Sequence, residues 1–375
     1  MLAPHIIIDE EDFRSLCQRV ASNDETSDIV SLTTSSRSDN EGARQIGFVM
    51  MDQDVRDLAQ ALAQNTAVTE LYINITRISV RGAIALMPYI ISSKTLGILG
   101  LQGKLKPDWN FDIEDDDDED DDFELENRQV VAIEVLIRAA VQNRFGLTLE
   151  LQSCPVARSS LRVCFQPNSY LCELSVGAGN CQMIEDDEDL LADGLVYSTK
   201  LQEVTIVQND GDKGLSNFLF QCCVHLPCLE KIYIGGNCSV PAALSQVHTL
   251  QDVSYMNESA DENPDAISSL TCFIENADSL NRLFLQLVDL AEDQIEGLRL
   301  ASEHNRSLTH IWQSPRFCKK LSDYSRRNAA FLTKWQDLRT EIEDTLFPFA
   351  AEVATKSNIG RSSLYLRLPQ ILSRE

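Results

Sequence analysis

The 375-residue chain is 43% hydrophobic and 7% aromatic, ordinary for a folded soluble protein, but carries a formal charge of −26. Such a surface repels phosphate backbones and anionic lipid, which argues against nucleic-acid binding, where Lys and Arg neutralise phosphates, and favours a basic protein partner. The start, MLAPHIIIDEEDF, has no positive region followed by a sustained apolar stretch, and no run approaches the roughly 18 apolar residues that a membrane span needs. A cytoplasmic or nuclear chain without membrane association is therefore expected. Eleven cysteines, spread from Cys17 to Cys318, fit reduced thiols better than a disulfide framework. Asn74, Asn237, Asn257 and Asn305 each begin an Asn-x-Ser/Thr sequon, read as chance matches in a chain without a secretory signal.

The first predicted element is an amphipathic helix over Asp9–Ala21, with Asp9 as its N-cap and Phe13, Leu16 and Val20 along one side. It is expected to serve, within residues 1–24, as an N-terminal helical cap. Next comes NTAVTELYINITRISVRGA, residues 65–83, whose large apolar residues fall at Val68, Leu71, Ile73 and Ile78. That spacing fits neither strict alternation nor one helical face over its whole length. It recurs, however, as an apolar residue at i, i+3 and i+5. The frame returns at Leu96/Leu99/Leu101, Leu171/Leu174/Val176, Leu201/Val204/Ile206, Leu229/Ile232/Ile234, Leu250/Val253/Tyr255 and Leu280/Leu283/Leu285. A weaker copy lies at Leu149/Leu151, and partial copies at Ile29/Leu32 and Leu308/Ile311 mark the two ends. First positions 68 to 96, 201 to 229 and 280 to 308 are each 28 residues apart, and 250 to 280 is 30.

An asparagine often precedes the frame, as at Asn65, Asn143, Asn168, Asn276 and Asn305, and amphipathic stretches such as 54–63 and 127–142 lie between frames. Each unit thus predicts a short strand followed by a helix. One such unit cannot bury its apolar side alone, so neighbours must stack. In this scheme Val68, Leu71 and Ile73 point into the core, Ile78 packs in the turn beyond, and Gly82-Ala83 admits a closely packed helix.

At these residues the chain resembles the leucine-rich repeat family, of the ribonuclease-inhibitor-like type. Asn65-Thr66-Ala67-Val68-Thr69-Glu70-Leu71 and Arg81-Gly82-Ala83-Ile84-Ala85-Leu86 carry the likeness. The resemblance implies an α/β solenoid, a right-handed βα horseshoe with a parallel concave sheet and a helical convex side, over residues 25–315. It also implies a ladder asparagine after the strand, matched at Asn209 and Asn237, whereas Thr76, Lys104, Gly179, Glu258 and Val288 occupy that position elsewhere. An irregular horseshoe is expected.

Between the frames at Leu96 and Leu149, twelve of the fifteen residues 112–126 are acidic. Self-repulsion and the lack of apolar residues predict a disordered insertion near 108–126. It is read as a solubilising loop, as an electrostatic lure for a basic partner, or as a complement to the basic segment Arg316, Lys319, Lys320, Arg326, Arg327 and Lys334. After Trp312 the frame is lost, and residues 316–375 are expected to form a C-terminal helical cap.

Chemistry is sparse. Cys222-Cys223-Val224-His225-Leu226-Pro227-Cys228 is the densest group of soft ligands, but it lacks the paired hooks of a zinc site, and Cys222 and Cys223 read as helix core. Gly177-Ala178-Gly179-Asn180 lacks the third glycine of a dinucleotide fingerprint and reads as a turn. No phosphate loop, nucleophile elbow or HExxH helix is present, so no enzymatic reaction and no cofactor or metal is expected.

Function is expected on the sheet. Where i+3 and i+5 face the core, i+2 and i+4 face the other way. The i+4 row reads Tyr72, Gly100, Glu150, Ser175, Thr205, Tyr233, Ser254, Phe284 and Trp312. The i+2 row reads Glu70, Ile98, Thr148, Glu173, Glu203, Lys231, Asp252, Arg282 and His310. Aromatics and Arg commonly anchor interfaces, so Tyr72, Glu203, Lys231, Tyr233, Arg282, Phe284, His310 and Trp312 are the candidate partner-binding residues. A competing structural role for Phe284 and Trp312 is to lie beneath the C-terminal cap. The resulting expectation is a monomeric interaction scaffold. The alternatives are a regulator of a small GTPase, since the ribonuclease-inhibitor-like group includes a GTPase activator with an acidic run, and an acidic chaperone for histones or other basic proteins.

Overall fold

A computed structural model describes residues 10–24, 28–32, 50–103, 119–178, 181–184, 197–208, 213–236, 238–257, 264–287 and 290–313. In chain order the elements are α1 (Glu10–Ala21), β1 (Ile29–Leu32), α2 (Asp52–Leu62), β2 (Glu70–Asn74), α3 (Val80–Ser92), β3 (Ile98–Gln102), α4 (Glu119–Gln142), β4 (Leu147–Gln152), β5 (Pro155–Ala157), α5 (Arg158–Cys164), β6 (Leu171–Ala178) and β7 (Gln182–Ile184). There follow β8 (Glu203–Gln208), α6 (Lys213–Cys223), β9 (Lys231–Gly236), a short 3-10 helix (Ala242–Gln246), β10 (Asp252–Asn257), α7 (Pro264–Asn276), β11 (Arg282–Leu287), α8 (Glu292–His304) and β12 (His310–Gln313). Ten strands form one open parallel sheet in the order β1-β2-β3-β4-β6-β8-β9-β10-β11-β12, while β5 and β7 make a separate pair.

Sequence order equals spatial order because each strand is too short to bury an apolar face unless the next lies beside it. The register turns the repeated frame into two rows. Val30, Leu71, Leu99, Leu149, Leu174, Val204, Ile232, Val253, Leu283 and Ile311 are partners from strand to strand. Leu32, Ile73, Leu101, Leu151, Val176, Ile206, Ile234, Tyr255 and Leu285 form the second row. Both rows are buried except at Ile311, which is half-buried at the end of the sheet. They share one core with the inner sides of the helices, including Phe13, Leu16 and Val20 of α1, Leu58 of α2, Leu86 of α3, Ile133 and Leu136 of α4, and Leu298 of α8. Each fully buried aliphatic here contributes about 1.5–3 kcal/mol.

The asparagines before the frame have a clear task. Asn143 is fully buried, and its Nδ2 donates to Ile90 O at 2.7 Å and Ser93 O at 3.0 Å, while its Oδ1 accepts from Phe145 N at 2.9 Å. Asn305 repeats this on the carbonyls of Ile274 and Ala277, at 2.6 and 2.9 Å, and accepts from Leu308 N at 2.9 Å. Asn65 reaches Val20 O at 2.6 Å and accepts from Val68 N at 2.8 Å. In each case the amide satisfies carbonyls left over at the end of the preceding unit's helix and fixes the turn into its own strand. Asn168 and Asn276 differ: both are exposed, and Asn276 donates to Cys272 O within its own helix.

A second tie joins the starts of α2 and α3. Asp52 accepts from Ser79 N at 2.8 Å and from the Ser79 hydroxyl. A Cβ on Gly82 would sit 2.7 Å from Asp52 Oδ1 and 2.9 Å from Ile78 Cγ2, so the glycine at this point is the close approach expected between neighbouring helices. Ile78 is buried in the turn as anticipated.

Several expectations need correction. Ile29 is not a core residue of the first unit: it pairs with Glu70 and is 43% exposed, and Val30 takes the inner place. Neighbouring residues of a strand face opposite ways, so placing the frame on Ile29 put it on the wrong face. The helix expected over 127–142 begins at Glu119, so the backbone of the second half of the acidic run is helical rather than disordered. Gly177 and Ala178 belong to β6 rather than to a turn. β6 carries two extra residues relative to β4, between Leu171 and Glu173 and between Val176 and Ala178, so Cys172 and Gly177 are bulge residues.

At the far end of the strands Asn74 and Asn257 are buried, shortly before the ladder positions held by Thr76, which is half-buried, and Glu258, which lies outside the described residues. Asn74 Oδ1 accepts from Thr76 N at 2.9 Å. Asn209 and Asn237 lie outside the described residues, as do Asp9, residues 104–118 of the insertion and its flank, and the whole of 314–375. The sequon asparagines Asn74, Asn257 and Asn305 are 5%, 0% and 4% exposed, so the folded chain offers none of the three to a glycosyl donor.

Candidate functional site: the open face of the sheet

The sheet face opposite the core carries the other two registered rows. Glu70, Ile98, Thr148, Glu173, Glu203, Lys231, Asp252, Arg282 and His310 are partners in sequence, beginning beside Ile29. Beside them run Tyr72, Gly100, Glu150, Ser175, Thr205, Tyr233, Ser254, Phe284 and Trp312. Adjacent parallel strands lie ~4.8 Å apart, so charges in one row act directly on one another. Seven of the eight candidate binding residues fall on this face and the eighth, Trp312, is in register with them by its backbone, though they do not form one cluster: Tyr72 lies on β2, Glu203 on β8, and the rest on β9, β11 and β12.

The C-terminal half of the face is charge-paired. Lys231 Nζ lies 3.1 Å from Glu203 Oε2, and that contact raises the Lys231 pKa. Arg282 forks onto both oxygens of Asp252. The bases singled out from sequence are therefore engaged within the sheet by neighbours one strand away. The alternation Glu203, Lys231, Asp252, Arg282 along the i+2 row already carried this signal, because registered opposite charges pair. Tyr233 is half-buried and its hydroxyl meets Met256 Sδ at 3.4 Å. Phe284 is 41% exposed. His310 is exposed, with Nδ1 2.7 Å from Thr309 Oγ1. Trp312 is described by its backbone alone, in register with Phe284.

The N-terminal half is acidic and partly desolvated. Burial, then the neighbouring Glu173 and Glu70, raise the pKa of Glu150; burial and Glu203 raise that of Glu173, which accepts from Thr148 Oγ1 at 3.1 Å. Sequence reasoning passed over Glu150 and Glu173, since a half-buried carboxylate looks like any other in a linear chain. Tyr72 lies over Gly100, where a Cβ would come within 2.1 Å of its ring. Burial, Glu150 and Glu70 push the Tyr72 hydroxyl well above its ordinary pKa. This tyrosine packs on the face as well as lining it.

A raised carboxylate pKa in the fold means that ionisation at neutral pH costs stability, and that the cost disappears below the ordinary carboxylate range, where folded and unfolded forms are both protonated. Glu150→Gln is accordingly expected to raise the urea midpoint at pH 7. The gain is below about 1 kcal/mol, because the group is half in water and screened. It should shrink as the pH falls to about 4, near the unperturbed carboxylate values; a gain that grows on acidification would contradict the charge crowding.

Among the described residues, no group of three or more His, Cys, Asp or Glu side chains is placed to hold a metal ion, and no helix is long and apolar enough to cross a membrane. Cys222 and Cys223 are buried in the core, and His225 stacks on Tyr197 with ring centroids 5.1 Å apart. No protein-family model and no curated protein matches the sequence. Among solved structures, the chain is similar to the Leiomodin-1 Actin-Binding Site 2 (ABS2) over 88% of its own length and 97% of that chain, at 9% identity and a TM-score of 0.21. A score of that size carries no functional argument.

Proposed function

We propose that this chain is an irregular leucine-rich repeat protein of the ribonuclease-inhibitor-like kind, a horseshoe whose concave sheet holds a protein partner. The recurring i, i+3, i+5 frame and the strand–helix alternation support the first part. One observation carries the second: a sheet of ten registered strands presents, opposite its apolar rows, two rows that are mostly polar, charged and aromatic, interrupted on β3 by Ile98 and Gly100. Aromatic residues there contribute nothing to the core, and an exposed Phe284, registered with Trp312 and separated from Tyr233 only by Ser254, is the kind of anchor that protein interfaces use.

The partner is basic. On the face, Lys231 and Arg282 are already matched by Glu203 and Asp252, which leaves the carboxylates of Glu70, Glu150 and Glu173 in excess. A cationic side chain laid across Glu150 and Glu173 would remove their mutual repulsion. Binding is therefore expected to weaken with salt, in proportion to the pairs formed. The site acts as a scaffold and involves no bond-making step.

The test compares proteins captured by the intact chain, by a Tyr233→Ala/Phe284→Ala/Trp312→Ala variant, and by an Ile84→Ala variant altered on the helical side. Loss of the same partners in the triple variant alone is the expected result. Equal capture by all three would remove the concave-face reading. Binding that survives the triple variant but is lost in a Glu150→Gln/Glu173→Gln variant would move the contact to the acidic half.

A further inference from the structure

The two-stranded pair β5–β7 sits where the loops after β4 and β6 leave the main sheet, and each of its strands is preceded by a buried cysteine. Pro155 is registered with Gln182, so Cys154 and Cys181 occupy the next matched position of the same parallel pair. Strands in register lie ~4.8 Å apart, inside the ~4.4–6.8 Å Cα separation that a disulfide spans. The side chains are also oriented toward one another. Cys154 N–H donates to Cys181 Sγ at 3.4 Å, and the two thiols lie within hydrogen-bond reach. Both residues are buried, at 0% and 6% exposure; Cys154 Sγ also donates to Gln152 O at 3.1 Å and Leu101 O at 3.2 Å, and Cys181 Sγ to Leu151 O at 3.2 Å.

The two sulfurs are not equivalent. The hydrogen bond from the Cys154 thiol, and after it the Cys154 backbone N–H, hold the Cys181 pKa down against its burial, whereas burial drives that of Cys154 up. A low-pKa thiol beside a second thiol is the arrangement that oxidises selectively. Cys164, Cys222 and Cys223, by contrast, are buried, and that burial pushes their pKa values up.

We propose that Cys154 and Cys181 form a redox-sensitive pair that closes to a disulfide when the chain meets hydrogen peroxide. The Cys181 thiolate attacks the peroxide oxygen, giving a sulfenic acid and, after protonation of the leaving hydroxide, water. The Cys154 sulfur then attacks the Cys181 sulfur, forming the S–S bond and releasing a second water, with the Cys154 proton carried away on the departing oxygen. Overall two thiols and one peroxide give one disulfide and two waters. The bond joins consecutive repeat units at the bulged junction between β4 and β6, on the opposite side of the sheet edge from the turns that Asn143 and its counterparts hold.

The test treats the folded full-length chain with hydrogen peroxide, quenches, denatures, alkylates the free thiols and maps tryptic peptides. The expected product links peptide 145–158, which holds Cys154, to peptide 163–200 through Cys181, with two of the eleven alkylation labels lost and regained after dithiothreitol. The Cys181→Ser variant should lose the link and Cys172→Ala should keep it. Should Cys181→Ser fail to fold, fragmentation of the linked wild-type peptide still separates Cys181 from Cys164 and Cys172. Alkylation of both Cys154 and Cys181 after peroxide has oxidised Cys272, which is exposed, would overturn the proposal, as would a link through Cys172.

Discussion

Asn143→Leu is expected to lower the stability of the folded chain by about 2–4 kcal/mol, the cost of leaving buried carbonyl and amide groups without partners. The carbonyls of Ile90 and Ser93 and the amide of Phe145 all lose the side chain that now satisfies them, and the two carbonyl bonds are buried with Asn143. Asn143→Asp should fare no better, since a carboxylate cannot donate to the two carbonyls and its charge would be buried. Asn276→Leu is the control: the residue is exposed and its bond stays within its own helix, so a change within about 0.5 kcal/mol is expected. Urea midpoints of the three variants check this. Equal losses at positions 143 and 276 would contradict the view that the first amide staples one unit to the next.

Gly177→Val is the second severe change. Gly177 has φ of +110° and is one of the two extra residues of β6, and a Cβ there would lie 2.0 Å from Val207 O and 2.9 Å from Val207 C. The obstruction is the backbone of the neighbouring strand, which cannot swing aside as a side chain would. A loss of about 3 kcal/mol or more is expected, the sum of a backbone conformation costing about 1–3 kcal/mol in a non-glycine residue and the displacement of β8. Gly146 offers the contrast. Its φ is also positive, +82°, but a Cβ would meet only Cys172 Sγ at 3.9 Å, so Gly146→Ala should cost about 1–2 kcal/mol from the left-handed backbone alone.

The inner rows were legible because burial imposes a period. A strand that must cover one face with aliphatics writes them two apart, and a helix returning to the same core sets the spacing between strands. Leu71, Leu174, Ile232 and Leu283 could therefore be placed in one row before any coordinate was known, and the outward rows followed from alternation. At the first unit the same logic slipped, since Ile29, Val30 and Leu32 leave two possible frames and only pairing with Glu70, Leu71 and Ile73 selects one.

The sequence by itself thus determined the repeated strand–helix unit, its parallel stacking and which residues lie on the open face, since periodicity is a property of neighbours along the chain. Only the tertiary structure decided which of those residues are already engaged. Lys231 and Arg282 meet their carboxylates across strands 28 and 30 residues apart, and Glu150 is crowded by residues from β2 and β6. The tasks of Asn143 and Asn305, the bulge at Gly177 and the meeting of Cys154 with Cys181 belong to the same class. Each depends on a distance between units rather than on a pattern within one, and such distances are set when the strands fall into register.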